Sequence, residues 1–121
     1  MLVNGALLQF SKIPIIGKAI DKASVEANIK DAKEQILKAF GKIDCLVNGA
    51  GGNMPGAVVE PGASVFELDM DSLTKVMNLN LFGTIKPTQI FGAEIAKSGA
   101  GSIVNISSMA SQKAITKVLG Y

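Results

Sequence analysis

The chain has 121 residues, enough for one compact domain and too few for two ordinary ones. It is 48% hydrophobic and 18% charged with a net charge of +2, and its lysines and acids are interspersed, so no basic stripe points to nucleic acid or an anionic membrane. With no histidine, His-based triads and His-containing metal sites are excluded, and with one cysteine no disulfide can form within the chain.

Residues 1–20 are apolar, yet no basic residue precedes the apolar stretch, and Lys12 and Pro14 interrupt it, which argues against a signal peptide. No run reaches the roughly 18 apolar residues of a membrane span, and the expected setting is soluble and cytoplasmic. Residues 22–40 predict an amphipathic helix with Val25, Ile29, Ala32, Ile36 and Phe40 on its buried stripe. Gly41 stops that helix. Ile43 to Val47 then reads as a short strand buried on both faces, as in a parallel sheet, with Cys45 inside it as a buried, inert thiol.

Residues 52–70 hold two prolines and several glycines and predict a loop, chiefly a solvent-exposed connector. Asp71 or Ser72 can cap a second helix running to about Lys97, with a kink expected at Pro87. The stretch SGAGS is the next turn, and Ser102 to Ile106 a second buried strand. The order helix, strand, helix, strand implies parallel strands joined by crossovers, hence an α/β fold.

Three polar features stand at informative places. NGAGG follows the first strand, where glycines let the backbone turn tightly and approach a ligand at the strand's carboxyl end, though a plain turn explains it equally well. Asn78 and Asn80 lie two residues apart on one helix, so at most one faces a given site; a structural amide is the plain alternative. Ser107 and Ser108 end the second strand, and without a base a serine there holds an oxygen rather than attacking a carbon.

Taken together, VNGAGG after a strand, NLNLFG in the next helix, and NISS thirteen residues before Tyr121 resemble the short-chain dehydrogenase/reductase family. The resemblance runs from about Asp21 to Tyr121. Within the family, GKIDCLVNGAGGNMPGA and NLNLFGTIKPTQIF are most similar to sugar-acid reductases of the mannonate type.

The resemblance implies a partial Rossmann-like, doubly wound parallel sheet, of which only central strands and helices are present. Residues 21–121 would form a partial dinucleotide-binding domain, with 1–20 a divergent N-terminal segment. It implies NAD or NADP as cofactor, a small carbonyl or alcohol substrate, and a homo-oligomer in the full-length form. By position, Asn48, Gly49, Ala50 and Gly51 match the motif that steadies the central strand and lines the adenosine side of the cofactor, with Gly49 replacing an asparagine. Asn80 matches the catalytic asparagine that bends its helix and holds a proton-relay water. Ser108 matches the substrate-orienting serine, and Tyr121 the proton donor and acceptor.

The family also uses a lysine four residues after that tyrosine, and a Gly-x-x-x-Gly-x-Gly loop at its start. Tyr121 is the final residue here, and residues 3–20 do not supply the glycine loop. An unperturbed tyrosine, with a pKa of about 10, is poorly matched to neutral pH without such a lysine. The expectation is therefore a middle piece of a dehydrogenase, inactive and weak in dinucleotide binding by itself. The alternative is a non-catalytic remnant acting only by binding or self-association.

Overall fold

Helix-period and strand-like stretches alternate along the chain, and the computed structural model, which describes residues 22–113 and 117–119, turns that alternation into a small layered α/β unit. Helix α1 spans Lys22–Phe40 and leads into strand β1, Cys45–Asn48. Helix α2 (Met70–Met77) runs through a π-helical turn, Asn78–Phe82, into α3, Gly83–Lys97. Strand β2, Ser102–Asn105, follows. The strands pair in parallel, with Cys45 opposite Ser102, Leu46 opposite Ile103, Val47 opposite Val104 and Asn48 opposite Asn105.

The periodicity of α1 works as expected over most of its length. Ile29 and Ala32 join Ile43, Leu46, Phe91 and Ile95 in the core, and Val25, Ile36, Leu37 and Ile90 pack around them. Phe40 departs from the expectation, being 56% exposed, because the core contacts of α1 end one turn earlier. Gly41 closes the helix in the left-handed region at φ 77°, its N–H donating to the Leu37 carbonyl at 2.8 Å. The Lys33 ammonium reaches Glu94 at 3.5 Å and so ties α1 to α3.

The sheet corrects a second expectation. Leu46 and Asn48 are buried toward α3, whereas Cys45 and Val47 are exposed, and every residue of β2 is exposed. Paired residues of a parallel sheet share a face, so Val47, Val104 and Ile106 form an apolar surface on the far side. Both long helices lie on the same side, and among the described residues nothing covers the other. Cys45 is consequently an exposed thiol, with the Ser102 hydroxyl donating to its Sγ at 3.4 Å. Gly101 admits the close approach that starts β2: a Cβ there would lie 2.6 Å from the Asp44 carbonyl oxygen.

The connector is more ordered than expected near its start. A 3₁₀ turn at Pro55–Ala57 buries Ala57 and Val59, and Val76 of α2 is also fully enclosed. Val58 forms an antiparallel bridge with Val118, and the Val59 N–H donates to the Lys117 carbonyl at 2.8 Å. Residues 60–67 are exposed as expected, with a second 3₁₀ turn, Val65–Glu67, held by a capping box between Ser64 and Glu67. The cap of α2 is Asp69, not Asp71 or Ser72. Its backbone is extended there, and its carboxylate accepts from the Asp71 and Ser72 N–H groups at 3.2 and 3.0 Å. The two expected caps sit inside the first turn and supply the donors. Helix α3 passes through Pro87 in α geometry, and the irregular turn falls instead at 78–82.

Candidate active site

The carboxyl ends of β1 and β2 bring the polar motifs together. Asn48 ends β1 with its side chain buried, 8% exposed, on the α3 side. Its Nδ2 donates to Asn105 Oδ1 across the strands at 2.8 Å and to Thr88 Oγ1 on α3 at 2.9 Å. Both amide hydrogens thus hold the strand pair against the helix. The Ile106 N–H continues the ladder onto the Asn48 carbonyl at 2.8 Å.

Gly49, Ala50 and Gly51 follow and are all exposed. Their backbone can be approached closely because the largest side chain among them is a methyl group. Gly51 borders Asn80: a Cβ at Gly51 would stand 3.4 Å from Asn80 Oδ1.

Asn80 lies within the π-turn, and its carboxamide grips the backbone of Gly52 from both sides. The Gly52 N–H donates to Asn80 Oδ1 at 2.9 Å, and Asn80 Nδ2 donates to the Gly52 carbonyl at 3.0 Å. This is the pairing one strand residue offers another, made here by a side chain. It fastens the glycine loop to the helix at the point where the helix leaves α geometry. Asn78, the competing amide, contributes its carbonyl to the turn, accepting from the Gly83 N–H.

Ser108 stands beyond the end of β2 as the cap of a 3₁₀ turn, Met109–Ser111, and its Oγ accepts from the Ala110 N–H at 3.2 Å. A hydroxyl that accepts such a bond still has its own hydrogen to donate. Tyr121 lies outside the described residues. The bridge at Val118 carries the chain back onto the loop after β1, three residues before that tyrosine.

Reading the sequence alone gave no role to Thr84 and Thr88, and took in Gly52 and Asn105 only as members of NGAGG and NISS, without their contacts. The threonines follow Asn80 at steps of four, a spacing that could have marked them. Asn105 could have been found only by fixing the parallel register with Asn48. Gly52 acts through its backbone, which leaves no side-chain signal.

Away from this edge, a shallow hollow between Leu37, Ile43 and Ser98 opens near the amino end of β1 and gathers none of these residues. Among the described residues no three His, Cys, Asp or Glu side chains cluster for a metal ion, and no helix is long and apolar enough to cross a membrane.

Comparisons with known proteins identify the family. The family model for short chain dehydrogenases matches residues 8–121, reaching further back than Asp21. An uncharacterised oxidoreductase, UxuB of Bacillus subtilis, is 36% identical over 115 residues, covering 88% of this chain and 40% of the relative. A crystal structure with bound NAD, from a Haemophilus influenza protein provisionally named a D-mannonate oxidoreductase, is 38% identical with a TM-score of 0.71. That match covers 79% of this chain and 38% of the other. ElxO with bound NADP is 26% identical with a TM-score of 0.67, over 78% of this chain and 36% of its own. The chain thus spans well under half the length of these proteins. On the family match over nearly its whole length, this chain belongs to the short-chain dehydrogenases.

Proposed function

We propose that this chain is the central part of an NAD(P)-dependent oxidoreductase that moves hydride between nicotinamide and a carbonyl or alcohol, with sugar acids as the substrate class. The observation that carries this reading is the double hydrogen bond between Asn80 and Gly52. It sets a helix irregularity beside exposed small residues at the carboxyl edge of a parallel sheet, where open α/β folds take their cofactors. The sugar-acid assignment draws on the sequence wording and on the D-mannonate oxidoreductase relative.

Gly49, Ala50 and Gly51 fit the adenosine side of a dinucleotide, because their exposed backbone carries nothing bulkier than a methyl group. Asn48 steadies the strand beneath them. A nicotinamide held at this edge would supply or accept the hydride. Ser108 donates its hydroxyl hydrogen to the substrate oxygen while the Ala110 N–H holds its Oγ in place. In reduction, hydride adds to the carbonyl carbon and Tyr121 protonates the oxygen, giving an alcohol; in oxidation Tyr121 takes that proton back. Asn80 keeps the glycine loop and the helix in register, and its carbonyl lies in the turn where a relay water would be held.

The test is the protein purified from its native gene, assayed with D-mannonate and NAD or NADP, beside Tyr121→Phe. Loss of turnover by about a hundredfold or more in Tyr121→Phe, with dinucleotide affinity kept, is expected for a lost general acid. Unchanged turnover in that variant overturns the assignment of Tyr121. A protein that binds neither dinucleotide overturns the whole reading. The exposed Val47, Val104 and Ile106 surface favours the second reading, a non-catalytic chain that associates. Self-association with neither binding nor turnover selects it.

A further inference from the structure

Two threonines outside the residues assigned above stand at successive four-residue steps from Asn80. Thr84 Oγ1 donates to the Asn80 carbonyl at 3.0 Å, and Thr88 Oγ1 donates to the Thr84 carbonyl at 2.8 Å. Thr88 Oγ1 also accepts from Asn48 Nδ2 at 2.9 Å, and the other hydrogen of that amide goes to Asn105 Oδ1 at 2.8 Å. A hydroxyl has one hydrogen and two lone pairs, so Thr88 satisfies both partners at once. The Thr84 carbonyl claims its hydrogen, which makes Thr88 the acceptor for the strand amide. One unbroken polar path therefore runs from β2 through β1 to α3, along α3 to Asn80, and from Asn80 to the backbone of Gly52.

A threonine bonded back to its own helix does little more than bend it slightly. Thr88 differs because its oxygen is also held by a buried amide on a strand. A shift of α3 along or about its axis breaks that bond and carries Asn80 away from Gly52, since both residues belong to one continuous helix. We infer that Thr88 is a positioning residue, with Thr84 as its relay, fixing α3 on the strand pair so that Asn80 meets the glycine loop. Valine at position 88 keeps the branched shape, removes the acceptor and leaves a buried Asn48 N–H unpaired. Serine keeps the acceptor. The inference rests on the functional reading for the importance of Asn80, but its test needs no cofactor.

The test is amide hydrogen exchange followed by NMR in the 121-residue chain, comparing Gly52, whose N–H is held by Asn80, with Gly41, whose N–H is held by Leu37. In Thr88→Val the Gly52 amide is expected to exchange about tenfold faster relative to Gly41. Thr88→Ser is expected to restore the wild-type ratio. Equal acceleration at both glycines means a general loss of stability and overturns the inference, as does an unchanged ratio or a failure of serine to rescue. If Thr88→Val does not fold, Thr84→Val is read by the same ratio, and an unchanged value there overturns the inference too. Dinucleotide titration of the protein purified from its native gene separates the two readings. Absence of binding in the protein purified from its native gene, with a selective loss at Gly52, sinks the functional reading and leaves this one standing.

Discussion

Asn80 places both ends of its carboxamide on a backbone unit 28 residues away, and substitution can weigh that contact. Asn80→Ala removes two hydrogen bonds to a half-buried glycine that water can still reach. The expected loss is about 1–2 kcal/mol, read as a lower urea midpoint at unchanged slope. An unchanged midpoint would mean that the pairing adds nothing net. Residue identity in the sequence singled out Asn80 by its motif and by the rule that it and Asn78 cannot face the same site. Its partner was not legible: the glycines of NGAGG mark a backbone open to close approach, but not which group approaches it. Cys45 shows the opposite failure: an apolar run argues for burial, but exposure was decided by which side of the sheet the helices cover.

At the scale of elements, the start of α2 carries a pH dependence. The hydroxyl of Ser72, and then the N–H groups of Ser72 and Asp71, hold the Asp69 carboxyl below its ordinary value of 3.8. A group whose folded pKa is depressed stabilises above the unfolded value and loses that contribution as pH falls through the folded one. The helical signal of the wild type should therefore drop on acidification below about pH 4. Asp69→Asn, which keeps an acceptor but does not titrate, should flatten that drop. Far-UV circular dichroism from neutral to strongly acidic pH reads both, and coincident curves would remove Asp69 as the source. Period and composition found the long helices of the described residues, because Ile29, Ala32, Phe91 and Ile95 repeat at helical steps. They misplaced the cap because Asp69, Asp71 and Ser72 are all acceptable capping residues, and only the extended backbone at 69 selects among them. They placed the irregularity at Pro87, the one residue without an N–H, whereas the π-turn is tied from outside by Gly52.

Taken as a whole, the described residues form a two-stranded parallel sheet with both long helices on one side. Such a sheet is marginal by itself in water, and among the described residues Val47, Val104 and Ile106 leave its second face apolar and uncovered. Sedimentation velocity over a range of concentrations is expected to show the 121-residue chain associating, with Val104→Lys shifting it toward monomer. A monodisperse wild-type monomer with a sharp melt would count against this. Strand order and direction were legible because a helix separates two short apolar runs. One-sidedness was not, since Val47 and Val104 are as apolar as Leu46 and Ile103. The side-chain hydrogen bond between Asn48 and Asn105 spans 57 positions of sequence, and that interval is also a delay. During synthesis at about 5–20 residues per second, β1 leaves the ribosome roughly 3–11 seconds before its partner strand does. Through that interval its apolar residues and unpaired edge are open to whatever holds nascent chains.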